Sequence, residues 1–441
     1  MSGLKILLDF DGDRRDIGVY EKSGGYKSLR AALKKGDPGA VVKAVDESGL
    51  RGRGGAGFPT GRKASFLPSD RKPAYLCVNA DESEPGTFKD REIMLRNPHA
   101  LIEGILIMSY GIGATSAFIY IRGEYRTEFE VLQRALEEAR SKGYVGGNVL
   151  GSGYDATVVL HRGAGAYICG EETALLSSLE GERGQPRSKP PFPAVAGLYA
   201  APTLVNNVET LASVPFILAM GGEKYAAIGT ERSKGTRVFS LSGNVRRPGN
   251  YELPLTATLR DLIEGLGGGV PDGRTMKAII PGGSSTPILT PDQLDTGIDY
   301  ESIAAAGSMA GSGAVVVIDD RTCMVQLALR VAEFYRHESC GKCTPCREGT
   351  KWGTDIIRRI EMGEARQGEL DLLLNVCDRI LGNCLCPLGD AMAMPVASYV
   401  THFREEFQRH IDEGGCPFTR DSPFTDLYHH RHPVPDLGSV S

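Results

Sequence analysis

The sequence has very little tryptophan, one residue in 441, and aromatic residues make up only 7% of the chain. It also lacks an excess of positive charge, because 50 Lys and Arg residues stand against 55 Asp and Glu residues, giving a formal net charge of -5. Proteins dedicated to nucleic acid or anionic membranes usually present a basic surface. We therefore expect no nucleic acid among its partners.

Long apolar runs are also missing. The longest uncharged run, residues 104–121, has the length of a membrane span but is broken by glycine, serine and threonine. This pattern favours the end of a helix, a glycine turn and a buried strand, so we expect no direct membrane span. The N-terminus reaches Asp9 and Asp11 before an apolar segment is complete, which predicts no secretory signal. In a reducing compartment the ten cysteines are expected to serve as metal ligands, redox groups or core residues.

Glycine, in contrast, is abundant, at 56 residues. Between residues 37 and 160 apolar patterns alternate between strand and helix. The pattern predicts strands at 74–78, 116–121 and 156–160, and helices that begin at Pro38, at Pro98 and near Glu128. This alternation is typical of an α/β domain with a parallel sheet.

The texture changes twice further along the chain. From residue 235, short apolar runs around a Pro-Gly turn predict a small β-rich domain, whereas from residue 321 only helical patterns remain, one of them running from 391 to 407. The tail has no periodicity, and we expect its histidines, His429, His430 and His432, to be solvated. The predicted divisions are 1–70, 71–234, 235–320, 321–412 and 413–441.

Three cysteines at the spacing C-x-x-C-x-x-C, together with a remote Cys-Pro, are typical of a 4Fe-4S cluster. They are Cys340, Cys343 and Cys346, with Cys386 before Pro387. Zinc is the alternative, on Cys343, Cys346, Cys384 and Cys386. The contexts of Cys77, Cys169, Cys323 and Cys377 favour structural roles, and Cys416 is given none.

Two loops have the composition of a nucleotide site. Residues 49–61 hold six glycines among basic residues, which suits close backbone approach to phosphate, although a flexible linker has the same composition. Asn79, Asp81, Glu82 and Glu84 follow a predicted strand, where open α/β sheets bind ligands. A solvated turn is the alternative there.

Two more segments carry polar groups in similar positions. Residues 161–173 contain a Gly-x-Gly turn before Glu171 and Glu172, which can serve a ligand or simply cap a helix. Asn206 and Asn207 offer amides to a ligand or to a turn.

Six strings in this order, RGRGGAGFPTG, NADESEPGTFKDRE, GAGAYICGEETALL, NNVETL, GKCTPCREG and CPLGD, resemble the flavoprotein (51-kDa-type, NADH-binding) subunit of respiratory complex I, NADH:quinone oxidoreductase. The resemblance covers about residues 40–412. It implies an α/β FMN- and NADH-binding domain with a parallel sheet, a ubiquitin-like β-grasp domain of the SLBB type, and a C-terminal helical bundle carrying a 4Fe-4S cluster.

The resemblance also implies site residues. The FMN ligands carried over are Gly52, Arg53, Gly54, Gly55, Lys63, Asn79, Asp81, Glu82, Tyr167, Gly170, Glu171, Asn206, Asn207 and Thr210. Those for NADH are Phe58, Phe66, Glu84, Glu172 and Lys189. Glu82 and Glu84 would position the reactants only. Without the resemblance, Phe58 and Phe66 are equally well explained as core residues.

As an activity, the resemblance implies hydride transfer from NADH to FMN, then single-electron transfer through the 4Fe-4S cluster to partner subunits and toward quinone. The implied partners are a thioredoxin-like 2Fe-2S subunit and an iron-sulfur-rich subunit, with the chain peripheral on the cytoplasmic side of the inner membrane. The alternatives are a diaphorase subunit of an NAD-linked hydrogenase or formate dehydrogenase, and a zinc-stabilised scaffold that binds RNA. Cys384, two residues before Cys386, leaves the fourth cluster ligand open.

Overall fold

Four parallel strands form the first sheet in the computed structural model, which describes residues 6–8 and 14–418. Their order across the sheet is β3-β2-β1-β4. The strands are β1 (Tyr75–Ala80), β2 (Ser116–Ile121), β3 (Thr157–Arg162) and β4 (Thr203–Asn207). The first three confirm the predicted strands, whereas β4 occupies a segment for which we predicted no strand, only ligand or turn roles for its asparagines.

Helices precede and connect these strands. They are α1 (Ile17–Lys22), α2 (Lys27–Lys35), α3 (Pro38–Glu47), α4 (Thr60–Ser65), α5 (Lys89–Arg96), α6 (Pro98–Ile112), α7 (Arg126–Ser141), α8 (Glu172–Leu179), α9 (Pro193–Ala196), α10 (Val208–Met220) and α11 (Gly222–Ala226). The start of α3 is as predicted, because the Asp37 side chain accepts a hydrogen bond from the Ala40 N–H.

The uncharged run 104–121 is the end of α6, a turn and β2, as predicted. Gly113 ends α6 in the left-handed region at φ 65°, which glycine adopts at low cost. Within α6, a Cβ at Gly104 would overlap the Leu211 carbonyl, so glycine is what allows α6 to pack closely against α10. Among the described residues, no helix is long and apolar enough to cross a membrane.

A second sheet has the strand order β6-β5-β8-β7. Its strands are β5 (Thr236–Gly243), β6 (Gly249–Pro254), β7 (Met276–Ile280) and β8 (Ala314–Asp319). β5 runs antiparallel to β6 and parallel to β8, so the sheet is mixed. α12 (Tyr300–Ala305) and a π-helical segment at Asp261–Leu266 connect these strands.

The described chain divides into two compact units, one ending at residue 317 and one formed by residues 273–277 and those from 318 onward. The second contains the predicted helical region: α13 (Met324–Glu338), α14 (Thr344–Glu361), α15 (Glu369–Ile380), α16 (Leu388–His402) and α17 (Arg404–Asp412). The single helix predicted over 391–407 is wrong. Phe403 leaves the helical conformation at φ -124° and ψ 31°, although the apolar spacing continues through it. The histidines predicted to be solvated, at 429, 430 and 432, lie outside the described residues.

Candidate functional site

The predicted ligand residues gather at the carboxyl ends of β1, β3 and β4. Asn79 near the end of β1 lies beside Asn207 at the end of β4. The strand order changes direction here, because β2 and β3 continue on one side of β1 and β4 lies on the other. Open α/β sheets bind ligands at such a switch point.

The glycine-rich loop folds over the start of α10. Its own backbone closes it, with the Gly52 N–H donating to the Phe58 carbonyl at 2.8 Å. The Arg53 N–H donates to the Thr210 Oγ1 at 2.9 Å, which ties the loop to the first turn of α10. Gly55 has φ 140°, and a Cβ there would meet no atom within 4 Å, so open space lies beside the backbone. The loop is therefore anchored, and the flexible-linker interpretation is wrong.

The arginines of this loop serve the protein itself. The Arg53 side chain is fully buried and donates from Nη2 to the carbonyls of Lys234 and Thr236, both at 2.8 Å. Arg51 pairs with Glu301 and lies 4.0 Å from the centre of the Tyr300 ring. Neither the Arg51 nor the Arg53 guanidinium is therefore free to bind phosphate, although basic residues in a glycine loop suggested that role. The backbone at Gly55 faces the open space instead.

Asn79, Asp81 and Gly170 meet at the end of β1. The Asn79 Nδ2 donates to the Gly170 carbonyl at 2.7 Å, and the Asp81 N–H donates to the Asn79 Oδ1 at 3.1 Å. Asp81 is buried, so the solvated-turn interpretation does not hold for it. Nearby in register, Asn206 in β4 has a buried Nδ2 that donates to no group among the described residues.

This unsatisfied donor tests the fit of a flavin. A buried amide without an acceptor costs free energy, and a bound heteroaromatic ring with carbonyl and ring-nitrogen acceptors would satisfy it. Together with the open glycine backbone, it makes the end of the sheet suitable for FMN.

The side chain of Glu82 is directed to the start of α5. Its carboxylate accepts hydrogen bonds from the N–H groups of Asp90 and Arg91 and from the Tyr125 hydroxyl, so it caps the start of α5. Burial, and then the nearby Asp90 carboxylate, raises the pKa of Glu82. Its side chain is thus committed to the protein.

Glu84 holds Tyr167 in place. The Tyr167 hydroxyl donates to one Glu84 oxygen at 2.7 Å, and the Ser285 N–H donates to the other at 2.8 Å. Burial raises the pKa of Glu84 despite these donors. These contacts unite residues that are far apart in the sequence, 83 positions for the first and 201 for the second.

A chain of ion pairs links α4, α8 and the segment before α9. Glu171 caps α8, because its Oε2 accepts hydrogen bonds from the N–H groups of Thr173 and Ala174, which confirms the capping interpretation for this residue. The Glu172 carboxylate contacts the Lys63 Nζ at 2.9 Å and the Lys189 Nζ at 2.8 Å. Burial raises the pKa of Glu172, but the two lysines outweigh it and hold this pKa below its ordinary value.

Two aromatic rings stand at the surface beside the glycine loop. Phe58 and Phe66 are 45% and 50% exposed, and their ring centroids lie 6.2 Å apart. The interpretation of these residues as core is therefore wrong. Exposing two phenylalanine rings to water costs free energy, and such exposed pairs are typical of sites that stack a ligand ring.

A buried ion cluster below the site was missed by the sequence analysis. The Lys89 Nζ lies 2.7 Å from Asp90 and 2.8 Å from Glu209, and all three side chains are almost completely buried. The Asn207 Nδ2 donates to the other Asp90 oxygen at 2.6 Å, while the Asn207 Oδ1 caps α10. The sequence around Lys89 does not indicate that this lysine pairs with Glu209, because Glu209 lies far away along the chain.

In the second compact unit, the C-x-x-C-x-x-C segment leads into α14. Cys343 is the residue before the first turn of α14, and Cys346 lies in that turn with its Sγ 3.2 Å from the Ser339 hydroxyl. Amide groups at a helix start favour an anionic ligand set such as thiolates with a cluster.

The second cysteine segment, which precedes α16, lies beside the first turn of α14. A Cβ at Gly389 would lie 2.5 Å from the Cys384 Sγ and 3.5 Å from the Cys346 Cβ, so the first turn of α16 packs against both. After burial, the charges of Cys343 and Cys346 raise the pKa of Cys384, as expected for neighbouring thiols. Cys386 lies two residues further on, immediately before Pro387 and α16. The structure thus brings the thiols of Cys343, Cys346 and Cys384 together, with Cys386 two residues further along the chain, and sulfur donors from these two segments suit a 4Fe-4S cluster.

Comparison with known proteins gives these sites a class. Family models match residues 45–216 as the Nuo51 FMN-binding domain, 238–289 as an SLBB domain and 326–410 as the NADH-ubiquinone oxidoreductase-F iron-sulfur binding region. An FMN-binding α/β fold combined with an iron-sulfur-binding helical region defines a flavin- and cluster-containing oxidoreductase.

The relatives give the family. The F 2 subunit of NADH-quinone oxidoreductase in Rhizobium meliloti is 57% identical over 91% of this chain and 96% of its own length. The F subunit of the Streptomyces coelicolor enzyme is 54% identical over 91% of this chain and 89% of its own. The chain belongs to this family, the F subunits of NADH-quinone oxidoreductase.

Solved structures show the same fold. An NAD+-reducing [NiFe]-hydrogenase in the H2-reduced state superposes with a TM-score of 0.78 at 38% identity, over 85% of this chain. The chain spans only 63% of that hydrogenase chain. The air-oxidised state gives a TM-score of 0.79 at 35% identity, over 93% of this chain and 67% of the hydrogenase chain.

These comparisons confirm the resemblance seen in the sequence: the α/β, SLBB and helical regions, the cofactors FMN and a 4Fe-4S cluster, and NADH as substrate. As a member of this family, the chain is an oxidoreductase that works with other subunits of its complex. The zinc alternative at the C-x-x-C-x-x-C site and the RNA-binding scaffold are wrong, since that region matches an iron-sulfur binding family.

Proposed function

We propose that the carboxyl end of the first sheet is where this chain oxidises NADH with FMN. The observation that carries the assignment is the buried Asn206 amide, which has no acceptor among the described residues, and whose neighbour Asn207 lies against Gly54 of the glycine loop. The FMN contacts are those carried over above, although the side chains of Arg53 and Glu82 form hydrogen bonds within the protein.

NADH binds across the exposed rings of Phe58 and Phe66, with Glu84, Glu172 and Lys189 around its polar groups. Lys189 is held by both Glu171 and Glu172, so its ammonium is fixed before the substrate arrives. Glu84 orients the Tyr167 hydroxyl and, like Glu82, positions groups without exchanging a proton.

FMN, when bound, supplies a hydride acceptor that releases electrons one at a time. The residues of this chain bind and align the nicotinamide and keep water from the ring. The electrons then need an acceptor, and we assign the 4Fe-4S cluster to Cys340, Cys343, Cys346 and Cys386. Pro387 and the following Leu-Gly-Asp favour Cys386 over Cys384.

The receiving partners are, in this proposal, a thioredoxin-like 2Fe-2S subunit and an iron-sulfur-rich subunit, with quinone further downstream. They attach the chain peripherally to the cytoplasmic side of the inner membrane. The likeness to an NAD+-reducing hydrogenase supports a diaphorase role as a second candidate. The NADH-quinone oxidoreductase relative from Rhizobium meliloti has the higher identity and is matched over 96% of its own length, against 63% for the hydrogenase chain, which favours the complex I role.

The test is Asn206→Asp, which replaces the buried donor by an acceptor without changing shape. We expect weaker retention of FMN, measured as flavin per chain after gel filtration, and a matching loss of NADH:ferricyanide activity that added FMN restores. Asn375→Asp, at an exposed position of α15, is the matched control. Full flavin content in Asn206→Asp would contradict the placement of FMN.

A further inference from the structure

A second group of metal-binding side chains lies in the helical unit and uses none of the cysteines assigned to the cluster. One ligand atom from each of four residues lies within 4.8 Å of all the others, and all four residues are buried. The members, which we call the Cys2HisGlu site, are Cys323, Glu361, His410 and Cys416.

The separations match a tetrahedral metal ion. The two sulfurs are 3.7 Å apart, the Cys323 Sγ is 3.3 Å from the His410 Nε2, and that nitrogen is 3.5 Å from a Glu361 oxygen. With ordinary zinc bond lengths, a tetrahedron places two sulfurs about 3.8 Å apart, sulfur and nitrogen about 3.6 Å apart, and nitrogen and oxygen about 3.4 Å apart. The group is thus spaced for one ion at its centre.

The histidine is oriented for coordination. Its Nδ1 lies 2.7 Å from the Glu406 carbonyl oxygen, which can only accept, so Nδ1 carries the proton. The Nε2 lone pair is then directed to the Cys2HisGlu site. A ring nitrogen held by a backbone carbonyl is the usual arrangement behind a metal-binding histidine.

The glutamate is oriented in the same way. The buried Gln326 Nε2 donates to the Glu361 Oε1 at 2.8 Å, while the other carboxylate oxygen faces His410. Cys323 is the N-cap residue of α13, so its side chain lies at the start of that helix. Two thiolates and a carboxylate together need a cation in a buried position.

The ligands come from four separate segments. Cys323 precedes α13, Glu361 ends α14, His410 lies in α17, and Cys416 follows that helix after two glycines. A site with four protein ligands leaves no open position for a substrate, which is typical of structural zinc. Mixed sulfur, nitrogen and oxygen donors in a tetrahedron also favour zinc over calcium or magnesium.

We propose that the Cys2HisGlu site binds one structural zinc ion, which fastens the segment after α17 to the start of α13 and the end of α14. This zinc is separate from the 4Fe-4S cluster and does not depend on the flavin assignment.

The test is the metal content of the purified full chain. The chain is produced in cells supplied with zinc and iron, and loosely bound metal is then removed. We expect about one zinc per chain beside about four irons, and X-ray absorption at the zinc edge with two sulfur and two nitrogen or oxygen neighbours. Cys416→Ser and His410→Ala should each lose the zinc while keeping iron and flavin. The matched controls, Cys377→Ser at a buried position of α15 and His402→Ala at the exposed end of α16, should keep it.

Three results would overturn the proposal: wild-type chain with full iron and no zinc, zinc retained by both ligand variants, or a disulfide between Cys323 and Cys416 in the isolated protein. If the ligand variants do not fold, the wild-type absorption spectrum still decides. A zinc with four sulfur neighbours would place the ion on other cysteines and refute the Cys2HisGlu assignment.

Discussion

Replacing Lys89 by methionine tests whether the buried ion cluster supports the flavin site. The change keeps the length of the side chain and removes the positive charge that lies between Asp90 and Glu209. Burial alone would lower the pKa of Lys89, but the charges of Asp90, Glu209 and Glu82 raise it above its ordinary value, so the lysine is charged in the native state.

The expected cost follows from what is left behind. Both carboxylates stay buried, with side-chain exposures of 4% and 1%, and each keeps one hydrogen bond, from Asn207 and from the Val238 N–H. Removing one partner of a buried ion pair costs about 3–5 kcal/mol. The free energy of unfolding of a domain is only about 5–15 kcal/mol, so the effect is large.

The assay is urea unfolding followed by far-UV circular dichroism and by release of bound FMN. Tryptophan fluorescence is unsuitable because the only tryptophan, Trp352, lies in α14 of the other compact unit. Without the lysine, the carboxylates bind a proton more readily in the folded than in the unfolded state. Their folded pKa is then raised, so the loss of stability in Lys89→Met should grow as pH rises.

A matched control is Lys142→Met. Lys142 pairs with Glu21 at 3.1 Å but is 49% exposed, so its loss should cost less than about 1 kcal/mol. The double variant Lys89→Met with Glu209→Gln should recover part of the loss, since it removes one of the two uncompensated charges. Equal stability of Lys89→Met and Lys142→Met would refute the reasoning.

Three further predictions concern the binding sites. Phe58→Ala and Phe66→Ala should each raise the KM for NADH severalfold with little change in FMN content, because each removes stacking worth about 1 kcal/mol, whereas Trp352→Ala should not. Cys386→Ser should lose the 4Fe-4S signal in EPR and Cys384→Ser should keep it; the reverse result would move the fourth ligand to Cys384. Glu172 has a folded pKa below its unfolded value, so its ion pairs stabilise the fold above about pH 4.5 and are lost as pH falls. In Glu172→Gln the thermal unfolding midpoint should fall less steeply as pH is lowered into the acid range. An unchanged acid dependence of the midpoint would contradict the role of Lys63 and Lys189.

Local patterns were sufficient for much of the fold. The Asp37–Pro38 pair marks the start of α3, and alternating apolar runs mark β1, β2 and β3, because capping and periodicity are properties of neighbouring residues. β4 was missed because its short segment ends in two asparagines, which resemble a turn. The break at Phe403 was missed because the apolar spacing is continuous across it.

The residues of the site also fall into those that local sequence patterns predict and those that they do not. Motif strings were sufficient to bring forward Asn206, Glu84 and the four cluster cysteines as candidates. The committed side chain of Arg53, the capping by Glu82 and the cluster around Lys89 depend on tertiary contacts, which no local pattern contains. No local pattern pairs Cys323, interpreted as structural, with Cys416, which had no role, because 93 positions separate them.

The central claim is that this chain accepts electrons from NADH at FMN and passes them to its own 4Fe-4S cluster. The most direct measurement is an anaerobic NADH titration of the purified, iron-reconstituted chain, following flavin absorbance and the cluster EPR signal together. The account predicts that about 1.5 NADH per FMN bleach the flavin and produce the cluster signal, because the flavin takes two electrons and the cluster one. Cys386→Ser should bleach with about one NADH per FMN and without that signal. A chain that binds FMN and cluster but shows no bleaching with NADH would contradict it.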